Sequence, residues 1–330
     1  MRVAVVGYGA IAARHIDIME EMLGRGRLDL LVCRERDVPL RPEHGWARMT
    51  TDFGDVLDFA PRFAVVASPA TKHAGQAARL AEIGAHMLIE KPLSASLDGI
   101  AELIDTAEAR GLTVLVAYNM SYLKTLNHLM EQVRSGAVGR VISVMAEVGQ
   151  YLPRWRPHID YRASVSASSA LGGGVLLELS HEVEYADRLL GGTRAVFCRS
   201  ARSGDLDIDV EDSADILMEG AGGSTAMIHL DMLQRTPTRS CRVFGTDGAA
   251  ELDLIQGTGS IRSSCDGGSP RTFSGALEAP GCAYRDQMAH FLACVRGESE
   301  PLVGLRRGMR VVELVEAARR SAEKGERVLV

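Results

Sequence analysis

The sequence predicts an α/β fold in two parts, a doubly wound parallel sheet followed by a region of mostly antiparallel strands with a few helices. Three observations carry this. Over the first 120 residues short apolar runs alternate with helical stretches, the pattern of a parallel sheet covered on both faces. Beyond about residue 120 longer strands face each other across glycine turns. Between the first strand-like run, Val3-Ala4-Val5-Val6, and the helix-compatible Ala13-Arg14-His15-Ile16 lies Gly7-Tyr8-Gly9-Ala10-Ile11-Ala12, a strand, glycine turn and helix in succession.

Each element follows from local pattern. Leu28 to Cys33 reads as a second strand, and Phe63 to Ser68, ending at Pro69, as a later one. Thr71 to Gly84 has helical spacing with Ala74, Ala77, Ala78 and Ala81 on one face. His86 to Glu90 is a buried strand, Leu97 to Arg110 a helix and Leu112 to Ala117 a strand. In the second part Val141 to Val148 is a long strand. Asp215–Glu219 and Ser224–Leu230 flank a hairpin turn at Gly220 to Gly223. Cys241–Phe244 and Ala249–Leu254 flank another at Gly245 to Gly248. Leu305 to Lys324 is a closing helix, while Arg154–Gly174 and Gly257–Gly281 read as irregular. The domains expected are 1–120 and 121–330, with the closing helix able to pack back on the first.

Composition bounds the function. A 46% hydrophobic fraction suits a globular chain with a real core. The net charge of −6 and the lack of a basic run argue against nucleic acid as a partner. No run approaches the ~18 apolar residues of a membrane span, and a strand at the very start leaves no room for a signal peptide. Cys33, Cys198, Cys241, Cys265, Cys282 and Cys294 include no close metal-ligand pair. They read as reduced thiols of a cytoplasmic protein, and no metal is expected.

The glycine turn is built for a dinucleotide pyrophosphate. Gly7 permits a tight turn, Gly9 lets backbone approach the phosphates, and Ala12 lets the helix lie close to the strand. The helix N-terminus then offers N–H groups to the anion. Glu90-Lys91-Pro92 follows a buried strand, and in a doubly wound sheet such carboxyl ends face the ligand crevice. Lys91 there would polarise a substrate hydroxyl or carbonyl.

Four stretches together resemble the Gfo/Idh/MocA oxidoreductases, the glucose–fructose oxidoreductase and inositol dehydrogenase group. They are the glycine turn, Val66-Ala67-Ser68-Pro69 with His73, Glu90-Lys91-Pro92, and Gly172-Gly173-Gly174 leading into His181. The resemblance runs through nearly the whole chain, to the tail at Ser321 to Val328. It implies a Rossmann domain, then a domain on a large, mostly antiparallel sheet that serves in homodimer or homotetramer contacts. It also implies oxidation or reduction of a sugar, cyclitol or sugar derivative with tightly held NAD or NADP. The implied cofactor contacts are Gly7, Tyr8, Gly9, Ala10, Ile11, Arg34, Ser68, Pro69, His73, Glu90 and Lys91, with His73 packing near the cofactor rather than doing chemistry.

The family pattern places an Asp, three residues, then a His after the glycine cluster. Here Glu178 stands for the Asp, and two residues separate it from His181. A one-residue deletion explains both facts, and at i,i+3 on a helix the two would still converge. His181 is then the expected general acid/base, Lys91 polarises the oxygen, and Glu178 tunes the pair. Glu182, the ungapped counterpart of the family histidine, and Glu184 read as surface or supporting groups.

Tyr118 and Asn119 end a strand and should face the crevice. Tyr151, Arg154, Trp155, Arg156, Tyr161 and Arg162 form an aromatic and basic cluster. Of these, Trp155, Arg156, Tyr161 and Arg162 are candidate contacts for an anionic or nucleotide-linked sugar. At the end of the second strand Arg34 suits the 2′-phosphate of NADP or stacking on adenine, whereas Glu35 or Asp37 would hold NAD ribose; the balance leans slightly to NADP. Two other readings stand beside hydride transfer: glycoside cleavage through transient oxidation, and a non-catalytic dinucleotide-binding regulator.

Overall fold

The computed structural model describes residues 1–35, 38–264, 267, 269–275 and 281–330. Asp37 and Cys265 therefore lie outside the described residues. The chain forms two compact units, Met1–Asn119 with Gly281–Val312, and Met120–Pro280 with Glu313–Val330.

The first unit opens as β1 (Arg2–Val6), α1 (Ala10–Leu23), β2 (Asp29–Cys33), β3 (Arg48–Thr50) and α2 (Phe53–Phe59). It continues with β4 (Phe63–Val66), α3 (Ala70–Glu82), β5 (His86–Glu90), α4 (Ile100–Ala109) and β6 (Val114–Ala117). Among the described residues these strands form one sheet in the order β3-β2-β1-β4-β5-β6, and every pair is parallel. Strand order reverses between β1 and β4, so a crevice opens at their carboxyl ends. Val3 to Val6 and Phe63 to Val66 are at most 1% exposed. Burial on both faces is why these runs are continuously apolar rather than alternating. On α1 the buried residues are Ala12, Ala13, His15, Ile16, Ile18 and Met19, an apolar face with one histidine in it.

The second unit contains α5 (Lys124–Arg134), β7 (Val141–Gly149), α6 (Val175–Glu178), α7 (His181–Leu190), β8 (Thr193–Ala201) and β9 (Ser213–Gly220). Then come β10 (Thr225–Asp231), β11 (Thr238–Gly245), β12 (Gly248–Asp253), β13 (Thr258–Ser263) and β14 (Arg271–Ser274). The chain next returns to the first unit with α8 (Cys282–Val295), and α9 (Leu305–Lys324) leads to β15 (Val328–Leu329) in the second. The sheet order is β14-β13-β12-β11-β7-β10-β9-β8-β15, antiparallel except for β7 with β10. Both expected hairpins form, β9–β10 and β11–β12. The stretch expected to be irregular from Gly257 carries β13 and β14. Their mixed small and polar residues hide the alternation that marks a strand, but pairing to β12 and to each other satisfies their backbone. Between Arg154 and Gly174 the chain makes short 3₁₀ turns at Tyr161–Ala163, Val165–Ala167 and Ser169–Leu171.

One face of this sheet is covered by α7. The other exposes Met145, Phe197, Leu217 and Met227, 37–54% accessible, which line a shallow pocket of about 550 Å³ with His229 and Arg199. On that face His229 sits between two carboxylates, Nε2 3.1 Å from Asp231 and Nδ1 2.7 Å from Asp215. The Asp231 bond, with Asp215 behind it, raises its pKa from 6.5 to about 9. A raised pKa contributes stability that is complete below pH 6.5 and disappears as pH rises through about 9. The ring is 41% exposed, so screening limits the contribution to about 1 kcal/mol. Wild type should therefore exceed His229→Gln in Tm by about 2–4 °C at pH 6 and by little at pH 10. An equal gap at both pH values would show that the pair stabilises without titrating.

Candidate functional site

The carboxyl edge of the first sheet collects the sequence-predicted residues of that unit. Gly7 follows β1 with φ +87°, and its N–H donates to Cys33 O at 2.8 Å. A Cβ on Gly7 would stand 2.5 Å from Ala67 C and O and from Ser68 N. The glycine thus lets the ends of β1 and β4 touch. Gly9, the N-cap of α1, differs: φ is −119°, and a Cβ there would meet nothing within 4 Å. No described side chain caps α1, its first turn has no acid, and Gly9 and Ala10 are exposed with Ile11 half-buried. Open backbone donors above an empty approach fit a dinucleotide pyrophosphate. Ala12 is fully buried, as close helix–strand packing requires.

After β2, Arg34 donates to Val38 O at 2.8 Å, and its guanidinium lies 5.3 Å from the Tyr8 ring centroid. Tyr8 is itself anchored, its hydroxyl 2.7 Å from His44 Nδ1, and His44 Nε2 is 2.8 Å from Asp17. Glu35 pairs with Lys72 of α3. After β4, Ser68 Oγ donates to Gln76 at 2.6 Å, and Pro69 is the N-cap of α3. His73 is 1% exposed and stands 2.9 Å from Pro92 O and 2.7 Å from Ser68 O. Burial pushes its imidazolium below the ordinary value, against the two carbonyls. It straps the loop after β4 to the loop after β5, and so does not present its ring to a ligand as a direct contact would require.

After β5, Glu90 Oε1 lies 2.7 Å from His15 Nε2, and Lys91 is half-buried before a cis bond to Pro92. After β6, Asn119 is half-buried, but Tyr118 is 0% exposed. Tyr118 was expected to face the crevice; its ring is core, because a large aromatic gains more from burial than from lining a cleft.

In the second unit the glycine cluster is packed. A Cβ on Gly173 would come within 2.4 Å of Val165 O, and one on Gly174 (φ +98°) within 2.4 Å of Glu211 Oε1. The single helix expected to carry Glu178 and His181 is two helices. Glu178 ends α6, His181 begins α7, and Leu179 and Ser180 break between them. Ser180 Oγ donates back to Leu177 O at 2.9 Å, the local bond with which serine competes against helix. The i,i+3 argument therefore does not apply, although the two remain at one break. His181 is 8% exposed and Glu178 half-buried.

Glu182 and Glu184 are not surface groups; they are 0% and 2% exposed. Glu182 accepts from Arg239 Nε at 2.8 Å and Nη2 at 2.9 Å, a bidentate pair joining α7 to β11. Glu184 accepts from Ser121 Oγ at 3.4 Å and faces Arg188 at 3.7 Å. Burial, with Glu182 alongside, holds the Tyr185 hydroxyl well above its ordinary pKa.

The aromatic and basic cluster divides. Trp155 donates to Gln150 O at 2.9 Å and with Arg156, Tyr161, Leu152, Ile159 and Ser164 lines a small pocket. Arg156 is exposed. Tyr161 OH accepts from Asp207 N at 3.2 Å. Arg162, expected to meet an anion, grips Asp160 through Nε and Nη2 at 2.9 and 2.7 Å and holds that carboxyl below its usual range. The guanidinium is thus engaged by a carboxylate two residues away, in an exposed ion pair. Three groups escaped the sequence reading: His15, His44 and Arg239. Only His15 left a signal, as a histidine in the buried stripe of α1.

Comparison with known proteins gives this arrangement a family. Residues 1–118 match the model of an oxidoreductase family with an NAD-binding Rossmann fold, and residues 126–251 match the GFO/IDH/MocA C-terminal domain. D-xylose 1-dehydrogenase (NADP(+)) 2 of Haloferax volcanii is 26% identical over 78% of this chain and 76% of its own. GenD2 from gentamicin A biosynthesis, solved in complex with NAD, is 27% identical with a TM-score of 0.82, covering 100% of this chain and 96% of that one. The WlbA dehydrogenase of Bordetella pertussis, 21% identical, shares the fold with a TM-score of 0.84 over 100% of this chain and 97% of its own. The chain belongs to the GFO/IDH/MocA oxidoreductases, and its residues 1–118 match their NAD-binding Rossmann domain.

Proposed function

We propose that the protein moves a hydride between a nicotinamide dinucleotide and a hydroxyl or carbonyl carbon of a sugar, cyclitol or sugar derivative. The observation that carries this is Lys91, directly after β5, on the same carboxyl edge as the open Gly9 cradle. The bound dinucleotide supplies hydride acceptance or donation at its nicotinamide ring. Gly7, Gly9 and the first turn of α1 hold its phosphates. Lys91 Nζ hydrogen-bonds the substrate oxygen and favours the charge that develops there. His181 takes or returns the hydroxyl proton, and Glu178 orients it. The names of the Haloferax relative and GenD2 support a sugar-type substrate and either dinucleotide. Arg34 over Tyr8 supports NADP, as a cation at the β2 edge where a 2′-phosphate would lie. Exposed Arg156 beside Trp155 supports an anionic or nucleotide-linked sugar. The apolar outer sheet face supports a homodimer or homotetramer.

The test is turnover of sugars, cyclitols and nucleotide-sugars, followed by the absorbance of reduced nicotinamide. Lys91→Ala and His181→Ala should each lower kcat by about 10²–10⁴-fold. His181→Ala should leave the Kd of NADPH unchanged. Full activity in both variants would refute these roles, and wild type unable to bind NADPH or NADH would refute the reading as a whole.

A further inference from the structure

His15 is a fully buried histidine with no role in the chemistry above. It sits in the second turn of α1, and Nε2 lies 2.7 Å from Glu90 Oε1, a contact across 75 residues of sequence. Opposite a carboxylate, Nε2 must carry the proton it donates. Nδ1 has no hydrogen-bond partner among the described residues. The ring is otherwise placed by packing, edge-on to Tyr284 of α8 at 6.3 Å between centroids. Glu90 is 12% exposed and precedes Lys91. One hydrogen bond therefore joins the helix that presents the phosphate cradle to the strand end that carries the lysine.

We propose that His15 is a positioning residue that, through Glu90, fixes the backbone and side chain at Lys91 and so orders the nicotinamide half of the cofactor site. This rests on the dinucleotide reading above. The physical reason is the cost of leaving the carboxylate without its donor. Nearly buried, Glu90 would turn toward water in the crevice and carry the adjoining Lys91 with it. The adenosine and phosphate half, held by Gly7, Gly9 and the start of α1, touches neither Glu90 nor Lys91 in this scheme. The two halves of the ligand should then respond differently to loss of His15.

Calorimetric titration with NADPH and with 2′-phospho-ADP-ribose separates them, the second ligand lacking nicotinamide. (If NADH binds more tightly, NADH and ADP-ribose are the pair.) His15→Ala should bind NADPH about tenfold more weakly, the order of one charge-assisted hydrogen bond, with 2′-phospho-ADP-ribose unchanged. His15→Gln, which keeps an N–H donor, should recover most of the loss. His15→Phe, which fills the ring's space without a donor, should by itself weaken NADPH about tenfold but cost nothing further in a Glu90→Gln background, and this cycle carries the test if His15→Ala does not fold. Equal loss of both ligands would make His15 a plain structural support of α1 and overturn the proposal, as would no loss of either. Wild type that binds neither ligand would overturn the cofactor reading along with it.

Discussion

Gly7→Ala is expected to destabilise the first unit by about 4 kcal/mol, combining left-handed backbone strain with overpacking. The added methyl would sit 2.5 Å from three backbone atoms of Ala67 and Ser68. Backbone cannot swing aside as a side chain does, so β1 and β4 must part at the switch point. Gly9→Ala is the matched control. Its φ of −119° suits any residue, and the methyl meets nothing within 4 Å. Gly9→Ala should keep the wild-type Tm yet lose dinucleotide affinity, because the methyl occupies the phosphate approach. Thermal melts with NADPH titrations check both. A Gly7→Ala protein as stable as wild type would show that the turn relaxes freely.

Arg239→Ala should destabilise the second unit by about 3–5 kcal/mol, the range for removing one partner of a buried ion pair. Glu182 is 0% exposed and accepts two short bonds from the guanidinium. Truncation leaves that carboxylate desolvated, with the Tyr185 hydroxyl 3.5 Å away as a weak substitute. At about 2–4 °C per kcal/mol the Tm should fall by about 10 °C. Arg239→Met with Glu182→Leu should recover much of this, because a matched apolar pair carries no desolvation cost. A loss under 1 kcal/mol in Arg239→Ala would mean water reaches Glu182.

The parallel half was legible because its signals are local. Apolar β-branched runs such as Val3–Val6 and Phe63–Val66 announce strands, and Gly7 and Gly9 announce their turn within a few residues. β3 and α2 were missed because a three-residue strand and a seven-residue helix carry too little periodicity. The antiparallel hairpins were legible where apolar alternation meets glycine turns, and β13 and β14 were not, lacking that alternation. The site divides the same way. Lys91, Glu90 and His181 stood in recognisable motifs. The break at Leu179–Ser180 was invisible, because a serine bonding backward depends on geometry rather than spacing. The surface reading of Glu182 fails for a different reason. A charged side chain's place is set by its partner, and Arg239 lies 57 residues from Glu182.

The first unit is assembled from two distant pieces of chain, and this orders events during synthesis. Phe63 packs its ring edge-on to Phe291 at 5.4 Å, and Val116 N–H donates to Val303 O at 2.8 Å. Gly308 lies so close to Val116 and Leu93 that a Cβ would stand 2.8 Å from Val116 Cγ2. When Asn119 leaves the ribosome none of these partners exists, and nearly two hundred residues must follow before Val312 completes the unit. At ordinary translation rates that is about ten seconds or more. Throughout that interval the nascent cofactor domain exposes the apolar seam meant for α8 and α9, while the second unit is synthesised in between. The nucleotide cradle is made long before the segments that complete the unit around it.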